Sequence, residues 1–361
     1  MSPTNDRDGA GDDGPAGGDA ERPVPDGHSF ALLLTHDLDR PYKTYQSLYY
    51  ALTEPARRRY HLSTALPGRN PYWQFGTMMD LEDDLGVRSA VYVLREQRLF
   101  RDRPPREWLS MEGWQLFAGR YSLDDPDVLE ALSRLDEGGW ELGLHGSYES
   151  PTDRERLREE KAAVEAAVGH EVLGGRQHYL NLSRPETWEH HRDIGLSYDA
   201  SLGSSDEYGF QHGYGIQRPF DDGFVVFPLT IMEQALPDPA DDFDRAWEAC
   251  EELLAEARDN GAVMTVLWHP RHFSEGDFPG HRRLYRRLIE HALDLGAWVG
   301  PPGELYERED LHEPPASDGG SAPDPSRSDA PTSGPVESPD PDRSDGRREI
   351  TNPTGAPDRS E

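Results

Sequence analysis

The stretch "FALLLTHDLDR", residues 30 to 40, decides how the chain is read. Four apolar residues, Ala31 to Leu34, form a short buried strand, and the run then stops on His36, Asp37 and Asp39. Working outward, six more apolar runs follow the same pattern: "RSAVYVL" (88 to 94), "WELGL" (140 to 144), "EVLGG" (171 to 175), "FVVFPL" (224 to 229), "AVMTVLW" (262 to 268) and "AWVG" (297 to 300). Several lack period-two alternation, as expected of strands covered on both faces. Amphipathic patterns at 75–85, 125–136, 152–168, 241–259 and 280–295 predict helices between them, with Thr152 or Asp153 capping the third. Strand followed by helix, repeated without an internal repeat or an evident linker, gives the α/β class, and a single (β/α) barrel matches the length.

In such a barrel the chemistry lies where the βα loops leave the C-terminal strand ends. His36, Asp37 and Asp39 follow the first run, "HGSYE" (145 to 149) follows the third, "RQHY" (176 to 179) the fourth and His269 the sixth. Four of seven strand ends therefore carry His, Asp or Arg, which is the pattern of a site and not of random loops.

These residues resemble the NodB-homology polysaccharide deacetylases, carbohydrate esterases whose fold is an irregular (β/α)7-type barrel. The resemblance spans residues 28 to 311, and "GGRQHYLNLSRPETW" with "SYDASLGSSDEYGF" looks closer to deacetylase-like proteins of surface-glycan gene clusters than to secreted chitin or peptidoglycan enzymes. It implies that "THDLD" supplies Asp37 as general base and Asp39 as metal ligand. "HGSYE" then gives His145 as a second ligand and puts Glu149 where the family has a second histidine. Arg176 would orient Asp37, and Tyr179 and His178 would contact substrate. "VLWH" would supply His269 as catalytic acid, with Asp199 of "YDASLG" fixing its tautomer. The implied cofactor is a divalent metal, zinc suiting the nitrogen and oxygen donors, and the implied reaction is removal of an acetyl group from an N-acetylated sugar or glycan precursor.

The chemistry of amide hydrolysis asks for the same parts: a polarised carbonyl, an activated water and a proton for the departing amine. Glu149 has a second reading, as a first-turn acid of the next helix; His178 or His36 would then be the missing donor. His190 and His191 read as surface residues, His272 and His281 as solvated ones. Aromatic loops at 71–76, 107–115 and 206–215 suit either sugar stacking or plain packing. Two other functions fit the same residues: an amidase acting on a small non-sugar C–N bond, and a glycan-binding relative that has lost its metal.

The chain has 361 residues and a formal net charge of −32. Composition separates Pro-, Gly-, Ser- and Asp-rich tails, 1–27 and 312–361, predicted to be disordered, from a single domain at 28–311. Nucleic acid is excluded as a partner, since phosphate binding needs a basic footprint; the partner expected is a carbohydrate or small-molecule substrate. Lys43 and Lys161 are the only lysines, and acid enrichment with lysine depletion resembles proteins of salt-loving archaea. Stability is accordingly expected to fall as salt is diluted and carboxylate repulsion loses its screening. Refolding indifferent to salt would contradict this. Cys250 is the sole cysteine, so no intrachain disulfide and no thiolate cluster forms. No apolar run is long enough to cross a bilayer and the N-terminus has no signal-like apolar segment, which together predict a cytoplasmic protein.

Overall fold

The computed structural model describes residues 21–313. Nine strands appear in chain order: β1 (Phe30–Leu38), β2 (Ala90–Leu94), β3 (Glu141–Gly146), β4 (Gly174–Gln177), β5 (Tyr198–Asp199), β6 (Val225–Val226), β7 (Leu229–Met232), β8 (Val263–Leu267) and β9 (Ala297–Gly300). All their ladders are parallel, in the order β6-β5-β4-β3-β2-β1-β8-β7, with β9 paired to the first half of β1. The class expected from sequence is therefore present, but closure into a seven-stranded barrel is not. No ladder joins β6 to β7 among the described residues, so the sheet is curled and open, with helices around it. The run read as one strand at 224–229 divides there, because only two residues separate β6 from β7 and the chain steps from one edge of the sheet to the other.

Every residue of β1 is buried, and alternation sorts its side chains. Phe30, Leu32 and Leu34 face the helices, in a core shared with Met78, Leu254 and Leu288, whereas Ala31 and Leu33 point into the curl with Ala90, Tyr92, Tyr198 and Val263. The interior is thus filled with apolar side chains below and becomes polar above, at Thr35 and Asp37. Parity also disposes of His36. It points to the helix side, where its Nε2 meets Glu82 at 2.8 Å and its Nδ1 meets the carbonyl of Trp268. It is a satisfied core histidine and not a donor for the site.

Close packing explains the glycines of β4. A Cβ on Gly174 would lie 2.1 Å from the Tyr198 ring, and one on Gly175 2.4 Å from the Leu144 carbonyl. The strand begins three residues later than the 171–175 run suggests and carries Arg176 within it. The helix Arg154–Val168 starts on Asp153, whose side chain accepts from the Arg156 amide, one of the two caps expected.

Residues 21 to 27, assigned by composition to the tail, lie against the body. The Ile216 amide donates to the Glu21 carbonyl at 2.9 Å, and Arg218 pairs with the Glu21 carboxylate at 2.7 Å. The remainder of both predicted tails, 1–20 and 314–361, falls outside the described residues. Among the described residues no helix is long and apolar enough to cross a membrane.

Candidate functional site

The strand ends of β1, β3, β4, β7 and β8 open on one cavity of about 1000 Å³. Asp37, Asp39, His145, His178, Tyr179 and His269 all line it, so six of the nine site residues expected from sequence gather there. Arg176 lies just beneath. Fully buried, it donates from Nη1 to Asp37 Oδ1 at 2.9 Å and to Thr35 Oγ1 at 2.8 Å, and from Nε to the Ala200 carbonyl at 2.7 Å. Tyr92 places its ring 5.0 Å from the guanidinium. Asp37 is thereby fixed by one oxygen, while its other oxygen faces His145 Nε2 at 3.6 Å.

His145 donates from Nδ1 to the Arg176 carbonyl at 2.9 Å, an orientation that leaves the Nε2 lone pair toward the cavity. Burial holds its pKa below the ordinary value, against the pull of Asp37, so the ring is neutral. Asp39 sits one turn of the alternation above Asp37. Burial opposes its charge, but Arg271 at 2.6 Å, with His269 and Arg120 near, outweighs burial and keeps the carboxyl well below the usual range.

His269 is where the structure departs most usefully from expectation. Its Nδ1 meets Glu233 Oε1 at 2.6 Å, and His272 Nδ1 approaches the same oxygen at 2.9 Å. Burial and Arg271 disfavour a charged His269, yet Glu233 and Asp39 outweigh them and raise its pKa. His272, without that balance, is pushed down by burial to about 3. The parallel register explains the pairing, since Met232 of β7 stands opposite Leu267 of β8, and Glu233 and His269 follow these two residues. Glu233 was not among the expected site residues. Its signal was "LTIMEQ" (229 to 234), another apolar run ending in an acid, hidden because the preceding run was read as stopping at Leu229.

Asp199, expected to hold His269, does not touch it. At the end of β5 it accepts from Trp188 Nε1 at 3.1 Å, from the Ser201 amide at 2.9 Å and hydroxyl at 2.6 Å, and pairs with His191 at 3.2 Å. Its oxygens are consumed by the wall that supports the 200–203 turn. His191 is correspondingly buried and not a surface residue, and His272 and His281 are buried as well.

Glu149 is also elsewhere. Arg103 grips both of its oxygens at 2.7 and 2.8 Å, and Arg156 adds a third contact at 2.9 Å. It lies in the turn before the 154–168 helix, so it is neither placed beside His145 nor in a helical first turn. The family's implied ligand set therefore does not fit as it stands, because two arginines hold the third member away from the cavity. Among the described residues, the one trio whose ligand atoms all lie within 4.8 Å of one another is Glu233, His269 and His272, a candidate cation cluster.

The cavity rim is aromatic. Tyr45, Tyr50, Tyr72, Tyr148 and Tyr179 line it, whereas Trp73, Trp114 and Phe210 of the aromatic loops serve packing. Tyr179 and Leu180 both take left-handed backbone, at φ 60° and 52°, which L-residues adopt reluctantly. That turn leaves the Tyr179 ring 44% exposed over the opening.

No protein-family model matches the sequence, and no curated protein matches it. Solved structures do resemble the fold. A proposed polysaccharide deacetylase from Mycobacterium smegmatis superposes with a TM-score of 0.52 at 20% identity, covering 81% of this chain and 94% of that one. A protein described as a probable polysaccharide deacetylase from Pseudomonas aeruginosa gives 0.50 at 13% identity, covering 80% and 93%. An allantoinase gives 0.50 at 14%, again covering 80% and 93%. At these identities what is shared is the fold.

Proposed function

We propose that the chain is a metal-dependent hydrolase of a carbon–nitrogen bond that removes the acetyl group from an N-acetylated sugar or glycan precursor. The observation that carries this reading is that one cavity holds both a carboxylate fixed by a buried guanidinium, Asp37 on Arg176, and an imidazole fixed by a buried carboxylate, His269 on Glu233. Such a pair separates a base from an acid by environment alone.

Asp39, His145 and a third donor would hold a divalent ion such as zinc, which would polarise the carbonyl and acidify the water. The rest belongs to the chain. Asp37 accepts the proton of the attacking water through the oxygen that Arg176 leaves free. Arg176 holds that carboxylate aimed at the cavity. His269, charged through Glu233, delivers a proton to the nitrogen as the C–N bond breaks, so a neutral amine and a carboxylate leave. Tyr179, with Tyr45 and Tyr148 on the same rim, offers the flat faces on which sugar rings stack. The open cavity suits a glycan better than a small cyclic amide, but the likeness to an allantoinase keeps the amidase reading as the second one.

A panel separates the readings. Intact protein with added zinc or cobalt at high salt is offered N-acetylated hexosamine oligomers, sugar nucleotides and cyclic amides. Acetate released from the sugars supports deacetylation; ring opening without acetate supports the amidase; binding of sugars with neither product supports a glycan-binding protein.

Glu233→Gln is expected to move the basic limb of the pH profile. Catalysis here requires His269 charged, so kcat/KM falls as pH rises through its raised pKa. Removing the carboxylate that raises it should shift the limb to lower pH. A basic limb left in place would show that Glu233 does not support the acid.

A further inference from the structure

Two arginines hold Glu149 off the site, yet a buried imidazole in the same cavity has a nitrogen with no partner. His178, 2% exposed, follows β4 directly. Its Nδ1 lies 3.2 Å from Glu96 Oε2, while its Nε2 is buried and makes no hydrogen bond. Glu96 is itself fixed by the amides of Tyr148 and Gln97, each at 3.0 Å. This is the arrangement of a ligating histidine, whose second nitrogen donates to a carboxylate and so turns the remaining lone pair toward a cation. His145 has the same construction, with a carbonyl in place of the carboxylate, and the two rings stand 5.3 Å apart. Asp39 lines the same cavity, with Oδ1 on Arg271 and Oδ2 4.0 Å from Arg120 Nη1.

We propose that His178 replaces the histidine missing at position 149, and that Asp39, His145 and His178 bind one divalent cation. This rests on the metal-dependent reading above and adds the identity of its third ligand. The ligand atoms stand further apart than 4.8 Å as a set, so binding draws the side chains in around the ion. The tighter cluster of Glu233, His269 and His272 is a poorer candidate. Both Nδ1 atoms lie 2.6 and 2.9 Å from one carboxylate oxygen, which are hydrogen-bond separations. Ligands on a tetrahedral zinc with bonds of about 2.0–2.1 Å are held about 3.3 Å apart. In that cluster Glu233 Oε1 is taken up between the two imidazoles, and only Oε2 is left without a hydrogen bond.

Cobalt(II) tests this without reference to turnover, because its visible d–d spectrum and stoichiometry report the site directly. Intact wild-type protein is expected to take up one cobalt per chain. His178→Gln, which keeps the side-chain volume, should weaken uptake at least tenfold and change the spectrum, whereas Glu149→Gln and His272→Gln should leave affinity within about twofold. Should His178→Gln fail to fold, Glu96→Gln removes only the partner of Nδ1 and is expected to weaken cobalt by about 10–100-fold. Unchanged affinity in both His178→Gln and Glu96→Gln, loss of cobalt in His272→Gln with retention in His178→Gln, or no uptake by wild type would each overturn the assignment. Amine release measured in chelator and in excess metal tests the hydrolase reading separately, since a catalyst using other ligands would fail the first test and pass the second.

Discussion

Asp37→Asn should lower kcat/KM for amide hydrolysis by about 10²–10⁴-fold, the range expected when a positioned general base is lost. The substitution is nearly isosteric. Asn Oδ1 still accepts from Arg176 Nη1, so the contact at 2.9 Å and the packing of the strand end persist. What disappears is the basic oxygen facing His145 and the cavity. The loss should fall on kcat more than on KM, because the amide side chain still fills the site but accepts no proton. Steady-state kinetics beside thermal unfolding decides it. A variant that folds normally and retains activity within tenfold of wild type would remove Asp37 from the mechanism.

The second large effect is on stability. Arg176→Leu removes the cation from a fully buried pair and leaves the Asp37 carboxylate, 4% exposed, without its guanidinium partner. Breaking such a pair from one side costs about 3–5 kcal/mol, far more than deleting a surface ion pair. The Ala200 carbonyl and the Thr35 hydroxyl lose their partner as well. A double variant, Arg176→Leu with Asp37→Leu, should recover a large part of the loss, because no uncompensated charge is then buried. Equilibrium denaturation at fixed high salt measures both. A single variant within about 1 kcal/mol of wild type would show that the pair is hydrated and the inside of the curled sheet wetter than its packing implies.

Much of this site is legible in strand-end residues, and parity supplies what composition alone does not. In β1, alternation from Ala31 and Leu33 puts Asp37 inside the curl and His36 among the helices, which settles which of two adjacent ionisable residues faces the cavity. His145 and Arg176 follow the same rule on their own strands, and His269 continues it two residues beyond β8. The acid that supports His269 was less visible, because its strand is four residues long and only two residues separate it from the strand before. Asp199 lay at a strand end too, but the Trp188 indole and Ser201 claim it, and contacts of that kind leave no periodic trace. Glu149 was misplaced for an electrostatic reason: with few lysines, this chain pairs acids through arginine, and the bidentate fork of Arg103 outcompetes a position beside His145. Closure of the barrel could not be read either, since it depends on whether two-residue strands at the sheet edges find each other.

The division of labour between Asp37 and His269 is tested most directly by changing the leaving group. In His269→Ala, hydrolysis of an N-acetyl amide should collapse by about 10²–10⁴-fold, since the departing nitrogen needs a proton. An activated acetate ester, whose leaving group departs as an anion, should be cleaved by the same variant at close to the wild-type rate, and Asp37→Asn should lose both activities. Equal losses on amide and ester in His269→Ala would contradict the account.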